Sequence, residues 1–306
     1  MKLVYFGTSA FAVPALQALA PDVALVVTQP DRPSGRGMAT RASDVKNAAA
    51  ALGMQVETPE KSRDRAFVER LTALNADAFV VASYGQILSK AMLAVPRQGC
   101  FNLHASLLPK YRGAAPIQYA VLNGDTVTGV TLMLMDAGMD TGDMIAKATT
   151  NIGPDETAGE LHDRLAQTAA GLVAEWIERL VAGDFPRTPQ DEGEATYAPK
   201  VTRADAELDF ERPAKEEYDR YRAFTPFPGA WARTTSGDLK VRSAGRSGRR
   251  STGAAPGTVV ATNPFEVAFS SGSLVFDTVQ PEGRKAVPGP DFANGARIRT
   301  GDCLKP

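Results

Sequence analysis

LVYFGTSAFAVPALQALAPDVALVVT, residues 3–28, holds two short apolar runs, LVYF and VALVVT, around a stretch whose apolar residues recur at helical spacing. Strand, helix and strand in that order make a βαβ unit, the building block of a parallel sheet. Working outward, the pattern repeats. A helical stretch near DVKNAAAALG (44–53) and another near SRDRAFVERLTALN (62–75) precede a buried run, AFVVAS (78–83), and then CFNLH (100–104). VTLMLM (130–135) and DMIAKAT (143–149) continue the sheet, and a long helix is expected from about Glu156 to Val181, with Leu161, Leu165, Leu172, Trp176 and Leu180 on one side. The fold class read from this is α/β, a Rossmann-like, mostly parallel sheet. The first turn, Gly7-Thr8-Ser9-Ala10, lacks the GxGxxG pattern of dinucleotide folds, and no P-loop pattern is present, so no nucleotide cofactor is expected.

Beyond residue 185 the texture changes. FPRTPQDEGEATYAPKVTRADAE (185–207) has three prolines, many charges and weak periodicity, which reads as a linker. After a short helix near Lys215–Arg222 come LKVRSA, GTVVATN, EVAFS and GSLVFDTVQ, short β runs separated by Gly, Pro, Ser and Asn, the pattern of a small antiparallel barrel or sandwich. The insert GRSGRRSTGAAPG (245–257) reads as mobile. The expected division is a catalytic domain over 1–188, a linker over 189–206 and a second domain over 207–306.

The 306 residues suit two domains, and 43% hydrophobic residues are enough for a sizeable core. No apolar run approaches the ~20 residues that span a bilayer. MKLVYFGTSAF enters a strand directly, with no targeting pattern, and two cysteines, Cys100 and Cys303, suggest neither a disulfide framework nor a metal knot. A cytoplasmic protein with no metal and no membrane partner is expected, and a monomer is the working expectation for its assembly. The net charge of −1 conceals an asymmetry: residues 1–202 hold 18 Lys/Arg against 22 Asp/Glu, and residues 203–306 hold 16 against 13. An acidic front and a basic back suggest different partners for the two halves.

Only two histidines occur. His162, inside ELHDRL, reads as a helix residue with no chemical part. His104 closes an apolar run, at the strand end where open α/β sheets bind ligands. Residues i and i+2 of a strand share a face, so Asn102 and His104 stand roughly 6–7 Å apart, able to converge on one carbonyl. Asn offers an amide donor to a developing oxyanion, and His a donor or a general acid–base. Cys100 is about 13 Å from His104 along the strand, too far for a Cys–His nucleophilic pair. A carboxylate to orient the imidazole is available in MDAGMDTGDM as Asp136, Asp140 or Asp143, and spacing does not choose among them. A hydrolase built on Ser106 is the rival chemistry, but HASLL is no GxSxG elbow.

NLHASLLPKYRGAAPIQ (102–118) and GMDTGDM (138–144) resemble the paired motifs of the folate-dependent formyltransferases. FGTSAFAVPAL (6–16), TQPDRPSGRG (28–37), TYAPKV (196–201), FTPFPGAW (224–231) and QPEGRKAV (280–287) are similar to the methionyl-tRNA formyltransferases in particular, so the resemblance runs the whole length. It implies that Asn102, His104 and Asp140 are the catalytic trio, and that Ser106, Leu107, Leu108 and Pro109 line the tetrahydrofolate site. It also implies that Arg36 meets the acceptor end of a tRNA and that the second domain is an OB-like barrel that helps hold it. The partners so implied are 10-formyltetrahydrofolate, as co-substrate, and methionyl initiator tRNA. Two stretches depart from the family: MATRASDVK (38–46) replaces a lysine-rich segment, and the GRSGRR insert is longer. The other readings are a formyltransferase acting on an amino sugar or glycinamide ribonucleotide, and a non-enzymatic RNA-binding protein on an OB scaffold. The first would not need a basic second domain, and the second would not need the trio.

Overall fold

In the computed structural model, residues 1–34, 39–248 and 253–306 are described; Arg36 and residues 249–252 of the 245–257 insert lie outside them. The chain forms two units. One comprises residues 1–116, 127–151 and 162–198, the other residues 117–126, 152–161 and 199–306.

The first unit is built on a seven-stranded sheet: β1 (Leu3–Gly7), β2 (Val23–Val27), β3 (Val56–Glu57), β4 (Ala78–Ala82), β5 (Cys100–His104), β6 (Val127–Leu134) and β7 (Met144–Asn151), in the order β7-β6-β5-β4-β1-β2-β3. The five strands from β3 to β5 run parallel, and β6 and β7 fold back antiparallel. β1 and β4 are buried at every residue. Their continuous apolar runs demand cover on both faces, which a central parallel strand receives. β7, at the edge, instead alternates buried or half-buried with exposed residues. Phe6 anchors the core between Phe79, 5.2 Å between ring centroids, and Tyr84, 5.3 Å and edge-on; each such fully buried ring stabilises the fold by roughly 1.5–3 kcal/mol. The helices Asp44–Ala51 and Arg65–Ala73 start where side chains satisfy free N–H groups. Ser43 accepts from the Lys46 N–H at 3.0 Å and Asp64 from the Phe67 N–H at 3.2 Å, each worth about 1 kcal/mol. The chain passes from β1 to β2 and β3 on one side, then returns to β4 and β5 on the other. The C-terminal ends of β1, β4 and β5 therefore flank a switch point, where such sheets bind ligands.

The long helix spans Ala158–Ala182. Leu161, Leu165, Leu172 and Leu180 are buried as their spacing requires. Trp176 lies at the stripe's margin, half-buried, with the Arg179 guanidinium 4.6 Å from its ring centroid. Among the described residues no helix is long and apolar enough to cross a membrane.

In the second unit β8 (Glu207–Leu208), β9 (Trp231–Thr234), β10 (Gly237–Arg246), β11 (Val259–Thr262), β12 (Phe265–Ala268), β13 (Ser273–Pro281) and β14 (Val287–Pro288) form one sheet, ordered β8-β9-β10-β13-β12-β11 with β14 on β13. All pairs are antiparallel except β8–β9. The architecture here is an antiparallel sheet; among the described residues no strand pairing joins β11 back to β8. Residues 301–304 bridge part of that gap. The Val259 N–H donates to the Asp302 carbonyl, Leu304 donates to Gly257, and the Thr235 N–H donates to the Leu304 carbonyl, each at 2.8 Å. The helix Ala214–Ala223 packs on this sheet through Tyr218 and Tyr221. Its buried Glu217 accepts from the Asp209 N–H at 2.9 Å and pairs with Arg220 at 3.2 Å; burial raises its carboxyl above the ordinary range, and those contacts oppose the rise.

Candidate active site

β5 ends in Asn102-Leu103-His104, and both polar side chains meet one carboxylate. Asp140 Oδ2 lies 3.7 Å from His104 Nδ1, and Asn102 Nδ2 lies 3.5 Å from Asp140 Oδ1, the outer limit of a hydrogen bond. His104 is 5% exposed, so its ring is shielded from water, whereas Asn102 is half-buried. The second ring nitrogen, Nε2, lies 2.9 Å from the Tyr111 carbonyl oxygen. A carbonyl only accepts, so Nε2 carries a hydrogen, and Nδ1 is the nitrogen turned to Asp140.

The other two aspartates of the loop face elsewhere. Asp136 accepts from the Gly138 N–H at 3.0 Å and from the Thr141 hydroxyl at 2.7 Å, and Asp143 pairs with Arg187 at 2.9 Å. Asp140 is held at φ +55°, in the left-handed region, and its Oδ2 accepts from the Gly113 N–H at 2.8 Å. Gly113 itself has φ +117°, and a Cβ there would stand 2.7 Å from the Ala198 carbonyl oxygen, so only glycine fits.

That close approach shows where the segment after residue 185 goes. Thr188 and Met144 exchange N–H···O bonds of 2.9 Å, and Tyr197–Ala198 pairs in parallel with Arg112–Gly113. Thr196 accepts from the Tyr111 N–H on its hydroxyl at 2.9 Å and from the Arg112 N–H on its carbonyl at 2.8 Å. Arg112 is fully buried, and its fork grips Glu192 at 2.9 and 2.7 Å while its Nε donates to Gln190 Oε1 at 3.0 Å. The hydrogen bonds to Glu192 hold the guanidinium's pKa above its ordinary value, and the same bonds hold the Glu192 carboxyl below the usual range.

The four residues read as a folate wall form a tight turn after β5. Ser106 is fully buried, its hydroxyl donating to the Lys110 carbonyl at 2.6 Å and its carbonyl accepting from Thr131 at 2.7 Å. Leu108 and Pro109 are buried, and the Leu108 carbonyl accepts from Lys147 Nζ at 2.6 Å. Leu107 alone is partly exposed. Cys100 is buried, and burial pushes its thiol up to about 12. His162 stacks edge-on to Phe11 at 5.7 Å and pairs with its neighbour Asp163 at 2.9 Å, away from the trio. Arg36 is outside the described residues. Sequence reasoning missed Arg112, Gln190, Glu192 and Thr196. Arg112 lies inside a quoted motif, but nothing local pairs it with a glutamine 78 positions on.

The formyl transferase family model matches residues 1–177, and the model of the formyl transferase C-terminal domain matches residues 200–297. The methionyl-tRNA formyltransferase of Solibacter usitatus is 45% identical over 99% of this chain and 98% of its own. That of Acidobacterium capsulatum is 48% identical over 96% of each. Among solved structures, an N-formyltransferase from Helicobacter canadensis in complex with folinic acid and dTDP-3-aminofucose superposes with a TM-score of 0.66 at 18% identity, over 90% of this chain and 98% of that one. HypX from Aquifex aeolicus in complex with tetrahydrofolic acid gives a TM-score of 0.64 at 14% identity, over 96% and 47%. At such identities these two structures speak for the fold alone, while the family models and the full-length relatives decide the lineage: the chain belongs to the formyl transferase family, with the methionyl-tRNA formyltransferases.

Proposed function

We propose that the protein transfers the formyl group of 10-formyltetrahydrofolate to the free α-amino group of methionyl initiator tRNA, the step that prepares this tRNA for translation initiation. Family and full-length relatives support the reaction. The observation that carries the assignment of residues is the meeting of Asn102 and His104 on the Asp140 carboxylate, at 3.5 and 3.7 Å.

The neutral amine attacks the formyl carbon on N10 of the folate, and negative charge grows on the formyl oxygen. The Asn102 amide donates to that oxygen; His104, whose Nε2–H is spent on the Tyr111 carbonyl, offers Nδ1 beside Asp140 as the ring nitrogen left to take part in proton transfer. Asp140 orients the imidazole through its contact with Nδ1. The C–N10 bond then breaks, N10 leaving with the electron pair and one proton, while the attacking amine loses one proton, so charge and atoms balance. Ser106, Leu107, Leu108 and Pro109 form the folate wall in this reading. Leu107 is the side chain that offers apolar surface, and the other three hold the turn's shape.

The first unit, with residues 188–198 clamped to it, supplies the chemistry, residues 199–206 connect, and residues 207–306 form an OB-like module that holds the tRNA. Arg36 acts at the acceptor end. The protein works as a cytoplasmic monomer. The deciding assay offers 10-formyltetrahydrofolate with aminoacylated initiator tRNA, beside glycinamide ribonucleotide and nucleotide-linked amino sugars. Formylation of the tRNA at a kcat/KM at least about 10²-fold above both controls is expected. A preference for either control overturns the substrate assignment.

A further inference from the structure

We propose that Gln190 is a positioning residue of this site: its side-chain amide hangs the Asp140 loop in place, and buried Arg112 fixes which way that amide points. The inference rests on the reading of Asp140 given above and adds a residue that acts through it.

A glutamine amide has one acceptor oxygen and one two-hydrogen donor. Here Oε1 accepts from Arg112 Nε at 3.0 Å, and Nε2 donates to the carbonyls of Asp140 and Gly142, both at 2.8 Å. Arginine can only donate and a carbonyl can only accept, so the amide cannot be turned over without setting donor against donor and acceptor against acceptor. Arg112 is itself fully buried, with its other nitrogens forked onto Glu192. The two carbonyls that Gln190 holds, of residues 140 and 142, belong to the turn in which Asp140 takes φ +55°, a left-handed conformation that still costs a non-glycine residue energy. A Cβ at Gly142 would lie 1.8 Å from the Leu134 carbonyl oxygen, so the loop is pressed against β6 on its other side.

Asp140 is thus constrained twice from one strip of chain. The Gly113 N–H holds its carboxylate at 2.8 Å, and Arg112, one residue earlier, holds its backbone through Gln190. Catalytic geometry tolerates displacements well under 1 Å, and the 3.7 Å contact between Asp140 and His104 has no other strut on the backbone of residue 140 among the hydrogen bonds of the described residues.

The test uses the full chain and Gln190→Glu. This variant keeps an acceptor for Arg112 but loses both donors and sets a carboxylate against two carbonyls. Turnover with 10-formyltetrahydrofolate and methionyl-tRNA is expected to fall about 10- to 100-fold, with KM for each substrate changed less than about twofold. A general loss of stability would not move the ring signals of His104 in a folded variant. The chain has two histidines, so ring ¹⁵N spectra contain two imidazoles, and His162 serves as the internal reference. His104 is expected to shift while His162 does not. Gln190→Ala is the second variant, should Gln190→Glu fold poorly, with the same expectations. Unchanged turnover, or an unchanged His104 ring in a folded variant, overturns the proposal. The ring spectra need no substrate, so they still judge Gln190 if the wild-type chain prefers another acceptor and the substrate assignment fails.

Discussion

Asp140 is the carboxylate among three neighbours whose oxygens reach the imidazole, and the reason lies in what the other two are bonded to. Asp136 caps its own turn through Gly138 and Thr141, and Asp143 is tied to Arg187. Asp140→Asn keeps the side chain's shape and removes its charge, so turnover is expected to drop by about 10² or more while folate binding persists. Asp136→Asn loses part of a surface turn worth about 1 kcal/mol and is expected to leave turnover within a few-fold. Single-turnover rates and folate affinity for the two variants check this, and a larger loss at Asp136 would mean that the wrong aspartate has been assigned. The sequence made Asn102 and His104 legible, because two residues on one strand face are a period-two pattern. Residue spacing left the aspartate open, and the resemblance alone picked it out. A positive φ and an approach from another element leave no periodic trace.

Strands and helices were legible where burial imposes a period or a run. CFNLH reads as a strand and is one, from Cys100 to His104, and the long helix runs Ala158–Ala182 where spacing put 156–181. The segment 185–207 shows the opposite case. Its prolines and charges read as a linker, yet residues 188–198 make two-residue pairings and side-chain clamps on the first unit. Pairings that short are too brief to set an alternation that could be read. β5 also carries a prediction of its own. Cys100 is 1% exposed with its thiol pushed up to about 12, against an ordinary 9.0, while Cys303 is exposed. In the native protein, iodoacetamide at about pH 8 is expected to label Cys303 and spare Cys100 until denaturant is added, because the buried thiol is both neutral and covered. Peptide mass mapping checks it, and native labelling of Cys100 at the rate of Cys303 would mean that β5 opens readily. The sign of the linkage follows: the unfolded chain releases this proton first, so Cys100 favours unfolding increasingly from about pH 9 to pH 12, and Cys100→Ala should flatten that part of the stability profile.

For the whole molecule, the charge is divided along the chain in a way that suits one polyanionic partner. Residues 203–306 carry 16 basic against 13 acidic residues, while residues 1–202 are net acidic. Many basic side chains of the second unit are already spent: Arg220 and Arg222 on Glu217 and Asp219, Arg233 on Glu207, Arg246 on Asp155. Lys240, Arg284, Lys285, Arg297 and Arg299 are also exposed, and they can meet phosphates without first breaking one of those ion pairs. Each phosphate neutralised by a protein cation releases condensed counterion, which makes log affinity fall with log salt by about 0.9 per contact on duplex nucleic acid. The affinity of the intact chain for methionyl-tRNA is therefore expected to weaken steeply across a salt series, and replacing these five residues by alanine should make the slope shallower by up to roughly 4. Folate binding, which needs none of them, should stay as it was and serves as the folding control. If the five-fold variant kept both the wild-type affinity and the wild-type salt slope, the second unit would not be the part that grips the tRNA. The acceptor arm would then have to be held by residues 1–202, against their net negative charge.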